Sequence, residues 1–119
     1  MAAPNIVNVT TITGKTNFQS VTTATTAIVA NAAGSGKVIK INALFLTNVN
    51  GTSVAEITAT IYNADNTTSY SLLSTVTIPA DAVLDAINKS IYLEEGDELR
   101  LASATNNDIH ATCSFEEIS

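Results

Sequence analysis

Few side chains in this sequence could do chemistry, and their spacing limits what they could do. His110 is the single histidine and Cys113 the single cysteine. A Ser–His–Asp or Cys–His arrangement would need that histidine as its base. In an alternating segment the two residues have opposite parity and point to opposite faces of a strand, which excludes a direct local pair. Cys113 reads as a small buried apolar residue, and His110 as a surface residue on a wet strand face. Gly34-Ser35-Gly36-Lys37 invites comparison with a phosphate-binding loop. It lacks the GxxxxGK[ST] spacing, and Val38 stands where a Mg²⁺-binding hydroxyl is needed. No helix follows to supply a dipole, so the segment reads as a turn.

Glu94, Glu95, Asp97 and Glu98 form the densest acid cluster. Clustered carboxylates attract hard cations such as Ca²⁺, but no spaced DxDxDG loop surrounds them, and a solvated turn has the same composition. Paired carboxylates could also serve glycoside hydrolysis. That chemistry uses a cleft with aromatic walls, and the chain has no Trp, three Tyr and three Phe. No set of residues converges as a catalytic, cofactor-binding or metal site. The sequence reads as a non-enzyme without a cofactor. Asn-X-Ser/Thr triplets at Asn8, Asn50, Asn66 and Asn88 follow from a composition rich in Asn, Thr and Ser.

The elements that would position these residues are strands. Ala55 to Tyr62 alternates, with Ala55, Ile57, Ala59 and Ile61 on one face and Glu56, Thr58, Thr60 and Tyr62 on the other. Ile109, Ala111, Cys113 and Phe115 alternate with His110, Thr112 and Ser114 in the same way. Such period-two patterns predict antiparallel strands with one buried and one wet face. Tyr70, Leu72, Ser74, Val76 and Ile78 suggest a third. Val38 to Leu46 is denser in apolar residues and reads as a central strand, with Lys40 and Asn42 on its wetter side. Ile6 to Ile12 and Val21 to Val29 are Thr-rich candidates. Val83 to Ile87, Ile91 to Leu93 and Leu99 to Ala102 read as short strands.

Turns separate them at Gly34-Ser35-Gly36, Asn48 to Gly51, Asn63 to Asn66, Pro79-Ala80-Asp81, Glu94 to Asp97 and Asn106-Asn107-Asp108. Asn50-Gly51 is a favoured hairpin pair. Strands recurring every 8–12 residues or so predict an all-β fold, an antiparallel β-sandwich or a jelly-roll-like barrel. At 119 residues the chain makes one domain. Residues 1–13 are expected to form either an N-terminal arm that adds a strand to a neighbour or an edge strand of the chain's own sheet. Phe115 to Ser119 would cap the sandwich or reach a partner.

Charged residues are only 13% of the chain, and the formal net charge is −6. That charge repels a phosphate backbone, so no nucleic-acid partner is expected. All eleven carboxylates lie from Glu56 onward, after Lys15, Lys37 and Lys40. A weakly basic and an acidic side would result if the fold kept these parts apart. No stretch approaches a membrane-spanning helix, and no signal peptide is evident, so no membrane partner is expected and synthesis is assigned to a cytoplasm.

Three segments carry a resemblance: Pro4-Asn5-Ile6-Val7-Asn8-Val9-Thr10-Thr11-Ile12-Thr13-Gly14-Lys15-Thr16, Gly36 to Leu44, and Ile91 to Leu99 followed by Ser114 to Ser119. Together they resemble small virion structural proteins of tailed phages, notably those of marine cyanobacterial hosts. Members of that group are similar to capsid-decorating, cementing or tail-associated proteins of β-sandwich type. The resemblance implies a place on the virion, assembled in the host cytoplasm. A capsid decoration or cement protein would bind between subunits of the major capsid protein, or to other virion proteins, as a homo-oligomer; a trimer would match the three-fold sites of a shell. The alternatives are a tail, neck or fibre component, or a carbohydrate- or Ca²⁺-binding adhesion module.

Overall fold

The computed structural model describes residues 10–87 and 89–119. Nine strands follow one another: β1 (Ile12–Ser20), β2 (Thr26–Ala30), β3 (Val38–Asn48), β4 (Ala55–Asn63), β5 (Thr68–Ile78), β6 (Val83–Ile87), β7 (Ile91–Leu93), β8 (Glu98–Ser103) and β9 (Ile109–Ile118). They form two sheets. The first has the order β1-β9-β3-β6, with β7 also paired to β3; the second has the order β2-β8-β4-β5. Every pairing is antiparallel. This is the all-β sandwich that the alternation predicts, in the strand order of a jelly roll. The slot beside β3 is shared end to end by β6 and β7.

The core lies between the sheets. β3 supplies Ile39, Ile41, Leu44 and Leu46, and β9 supplies Ile109, Ala111, Cys113 and Phe115. Facing them are Ala55, Ile57 and Ala59 of β4, and Leu99 and Leu101 of β8. Each fully buried Leu or Ile contributes about 1.5–3 kcal/mol, so this inner layer is the main source of stability. On β3 the inward parity changes from odd to even after Ile41. The cause is a bulge at Asn42, where Ile41 pairs with Phe115 and Ala43 with Ser114. An extra residue on one strand turns every later side chain to the other face.

The same device corrects the alternation expected for Tyr70 to Ile78. β5 pairs Val76 with Ile57, Leu73 with Ala59 and Ser71 with Thr60, so it carries two extra residues. Val76 and Ile78 face the core as the alternation predicts. Between the two bulges Leu73 takes the inward place, and Leu72 is exposed.

Three other expectations change. Residues 6–9 of the Ile6 to Ile12 candidate, and 1–9 of the 1–13 arm, lie outside the described residues. Ile12 and Thr13 open β1, an edge strand of the chain's own sheet. β1 continues through Gly14 to Ser20 in unbroken register with β9. The Val21 to Val29 candidate shrinks to β2, because Val21 to Thr25 carries the chain from one sheet to the other. There the hydroxyls of Thr22 and Thr26 donate to the Ala24 carbonyl. Thr side chains that serve nearby backbone in this way compete with ladder formation.

Asn50-Gly51 makes no hairpin, since β3 and β4 belong to different sheets. Instead Asn50 Oδ1 accepts from the N–H groups of Thr52 at 2.9 Å and Ser53 at 3.1 Å. This side-chain-capped turn passes the chain between layers. β4 and β5 form a hairpin across the predicted turn Asn63 to Asn66.

Candidate functional site

His110 and Cys113 lie on β9 as their parity requires. His110 is exposed between Ser20 of β1 and Thr47 of β3. Cys113 is fully buried, and burial pushes its thiol up to about 12. A thiol in that state is not a nucleophile near neutral pH. The structure therefore keeps apart the two residues that could have formed a local pair.

The acid cluster is likewise divided. Asp97 is buried, and its two oxygens accept from the N–H groups of Ala64 at 3.0 Å and Glu94 at 3.2 Å. Glu95 Oε2 accepts from the Gly36 N–H at 3.0 Å, joining this turn to the Gly34-Ser35-Gly36 loop. Glu98 holds Arg100 at 2.8 Å, and the Arg100 guanidinium lies 4.3 Å from the centre of the Tyr62 ring. These carboxylates hold turns and neighbours in place. Among the described residues no three His, Cys, Asp or Glu side chains gather as a metal-binding group.

Two buried amides escaped the sequence reading. Asn31 Nδ2 donates to the carbonyls of Lys37 at 2.9 Å and Leu93 at 3.0 Å, while its Oδ1 accepts from the Ser35 hydroxyl. Asn48 Nδ2 donates to the carbonyls of Ser53, Ile78 and Pro79. Each anchors loops at one end of the sandwich. A signal existed for Asn48, since it follows Leu44 and Leu46 at inward parity and is a polar residue at a core position.

The lysines do not form a separate basic side. β9 lies between β1 and β3, so the C-terminal acids come to them. Lys15 and Lys37 approach Glu117 at 3.0 and 3.4 Å, and Lys40 approaches Glu116 at 3.9 Å. Lys15, as the nearest hydrogen-bond donor, holds the Glu117 carboxyl below its usual range, with Lys37 adding to the effect.

A shallow cleft of about 250 Å³ opens at one side of the sandwich, lined by Leu72, Ala86, Ile87, Lys89, Ser90 and Ile91. Among the described residues lining it, Lys89 is the one ionisable side chain. The more conspicuous features are on the outside. Phe18 on β1 is 75% exposed, Val83 61%, Val54 59% and Ile12 58%. Phe18 and Phe45 stand on the outer face of the first sheet with Thr112 between them, paired to both. The described surface is thus better furnished for contact with another large molecule than for holding a small one.

No protein-family model matches the chain, and no curated protein matches it. Among solved structures it is similar to a chain described as coming from Bacillus endospore appendages, which form a novel family of disulfide-linked pili. The TM-score is 0.55 at 11% identity, covering 100% of this chain and 96% of that one. At that identity the likeness is one of fold: both chains share the sandwich along their whole length.

Proposed function

We propose that the protein is a structural subunit of a virion that works through its surfaces, most simply as a capsid decoration or cement protein. It would bind between subunits of the shell and stabilise the head. The observation that carries this reading is the contrast between the two kinds of surface. Asp97, Glu95, Glu98 and Glu117 are engaged in turns and ion pairs, and the cleft is shallow, while large apolar side chains such as Phe18, Val54 and Val83 stand exposed. Exposed apolar groups on a rigid scaffold are the usual raw material of protein–protein contacts. The resemblance of both chain ends and of Gly36 to Leu44 to small virion proteins of tailed phages supports the location.

A second reading, a tail, neck or fibre component, is favoured by the likeness to a subunit of pili. Disulfide linkage of the kind described for those pili does not transfer, because Cys113 is the single cysteine and is buried. Assembly through these 119 residues would not use a disulfide. Quantitative mass spectrometry of purified particles separates the two readings. Copy numbers comparable to that of the shell protein support decoration, and copy numbers typical of a tail ring or fibre support the second reading. Absence of the chain from the particles overturns both.

A further inference from the structure

We infer that β1 is a self-pairing edge, and that two copies of this chain join through it as a two-fold symmetric dimer with Thr16 on the axis. This deepens the reading of the protein as a structural subunit by naming a partner, a second copy.

A sandwich has four open edges, and natural sheets blunt them against unwanted pairing. Here three are blunted. β5 carries two bulges and a left-handed Thr75 at φ 52°. β2 is short and bulged between Ala27 and Val29, and its Ala27 and Ile28 carbonyls accept the side-chain amides of Gln19 and Asn17. β6 and β7 are short, and β6 is bulged against β3. Among the described residues β1 carries one charged side chain, Lys15, and Glu117 of the adjoining β9 holds its ammonium at 3.0 Å. The strand runs from Ile12 to Ser20 without proline or bulge, and it is exposed along nearly its whole length.

The ladder fixes which backbone groups are free. Thr11 and Ser119 exchange both hydrogen bonds, and the Val21 N–H donates to the Ile109 carbonyl. Odd-numbered residues of β1 therefore point their N–H and C=O groups at β9. By the alternation of an antiparallel ladder, Ile12, Gly14, Thr16, Phe18 and Ser20 point theirs at the open edge. An antiparallel copy centred on Thr16 engages all of these residues, pairing Ile12 with Ser20, Gly14 with Phe18 and Thr16 with Thr16. Phe18 is the most exposed large apolar side chain described, and a Cβ built on Gly14 would meet nothing within 4 Å. In this register each Phe18 ring covers the partner's bare Gly14, a cross-strand pairing that rescues an edge glycine. The Thr16 pair is a favourable cross-strand pair.

Neighbouring registers are worse. Centring on Lys15 sets two like charges directly opposite, whereas centring on Thr16 sets Lys15 opposite Asn17. Centring on Asn17 sets Ile12 opposite Thr22, beyond the end of β1. None of the eleven carboxylates lies on β1, so the acidic net charge does not bar the approach.

Thr16→Pro tests this selectively. Residue 16 directs its N–H outward, so proline removes an edge donor while the bonds to β9 stay; proline is tolerated at such edge positions. Sedimentation equilibrium on the full chain is expected to give twice the 12.4 kDa monomer mass, with association weakened about tenfold or more in Thr16→Pro. Thr16→Cys gives a second readout that needs no loss of folding. Across the axis the Cα atoms would sit about 5.5 Å apart, within disulfide reach, so mild oxidation is expected to link copies. Ser20→Cys places the thiols about 27 Å apart and is expected not to link them.

A monomeric wild type, a trimer, a dimer indifferent to Thr16→Pro, or equal linking by both cysteines overturns the inference. If instead Thr16→Pro is monomeric yet still binds virion shells, the dimer stands and so does the virion reading. A dimer whose chain is absent from particles overturns the virion reading alone.

Discussion

The side-chain amide of Asn48 donates to the carbonyl of Ile78 at 3.0 Å, joining the end of β3 in one sheet to the end of β5 in the other. The same amide reaches the Ser53 carbonyl at 2.9 Å and the Pro79 carbonyl at 3.2 Å, and its oxygen accepts from the Asn50 N–H at 3.0 Å. A single buried residue thus closes one end of the sandwich.

Replacing Asn48 by Ala takes this partner from the buried Ile78 carbonyl and from the part-buried Ser53 and Pro79 carbonyls and Asn50 N–H. Each such group costs about 1–3 kcal/mol, so the loss of stability is expected to be on the order of 3 kcal/mol. A urea titration measures it, and an unchanged midpoint would count against the clamp.

Gly96 is the counterpart at the turn between β7 and β8. Its φ is +89°, and an added Cβ would lie 2.7 Å from the Ala64 Cβ. Gly96→Ala is expected to cost about 2–4 kcal/mol, from the left-handed backbone and the overlap together. Gly34→Ala, at φ +72° with open space around it, isolates the backbone contribution at about 1 kcal/mol. Equal losses in the two variants would contradict the close contact at Ala64.

Glu117 makes the fold sensitive to acid. Its carboxyl is held below its usual value in the folded state, chiefly by Lys15, so the folded form favours the charged state. That contribution is fully present above the ordinary carboxylate range and is lost as pH falls through the lowered folded value. Wild type is therefore expected to lose stability over that acid window, and Glu117→Gln to lose less there. Thermal melts from neutral pH downward check this, and parallel curves for the two proteins would contradict it.

Cys113 is expected to resist a thiol reagent in the native protein at pH 8, because its thiol is buried and pushed up to about 12. It should react fully once the chain is unfolded. Fast native labelling would mean that β9 opens readily.

The sequence reveals the strands whose inner faces are apolar and hides those whose faces are not. β4 and β9 alternate cleanly, and β6 and β7 have the expected bounds. β1 escapes because Thr13, Lys15, Asn17 and Gln19 occupy its inward parity, where Asn17 and Gln19 serve β2 carbonyls, while Phe18 faces outward. An edge strand of this kind has no apolar stripe to read. β5 is found, but two bulges reassign its faces beyond Val76, and bulges leave little trace in composition. The separation of His110 from Cys113 follows from parity alone. The approach of Lys15 and Lys37 to Glu117 does not, because it depends on β9 inserting between β1 and β3.

A density map of the intact particle by electron microscopy tests the proposed virion role most directly. The account predicts sandwiches of 49 × 27 × 19 Å on the outside of the head, bridging shell subunits. A particle whose density is fully explained without this chain would contradict it.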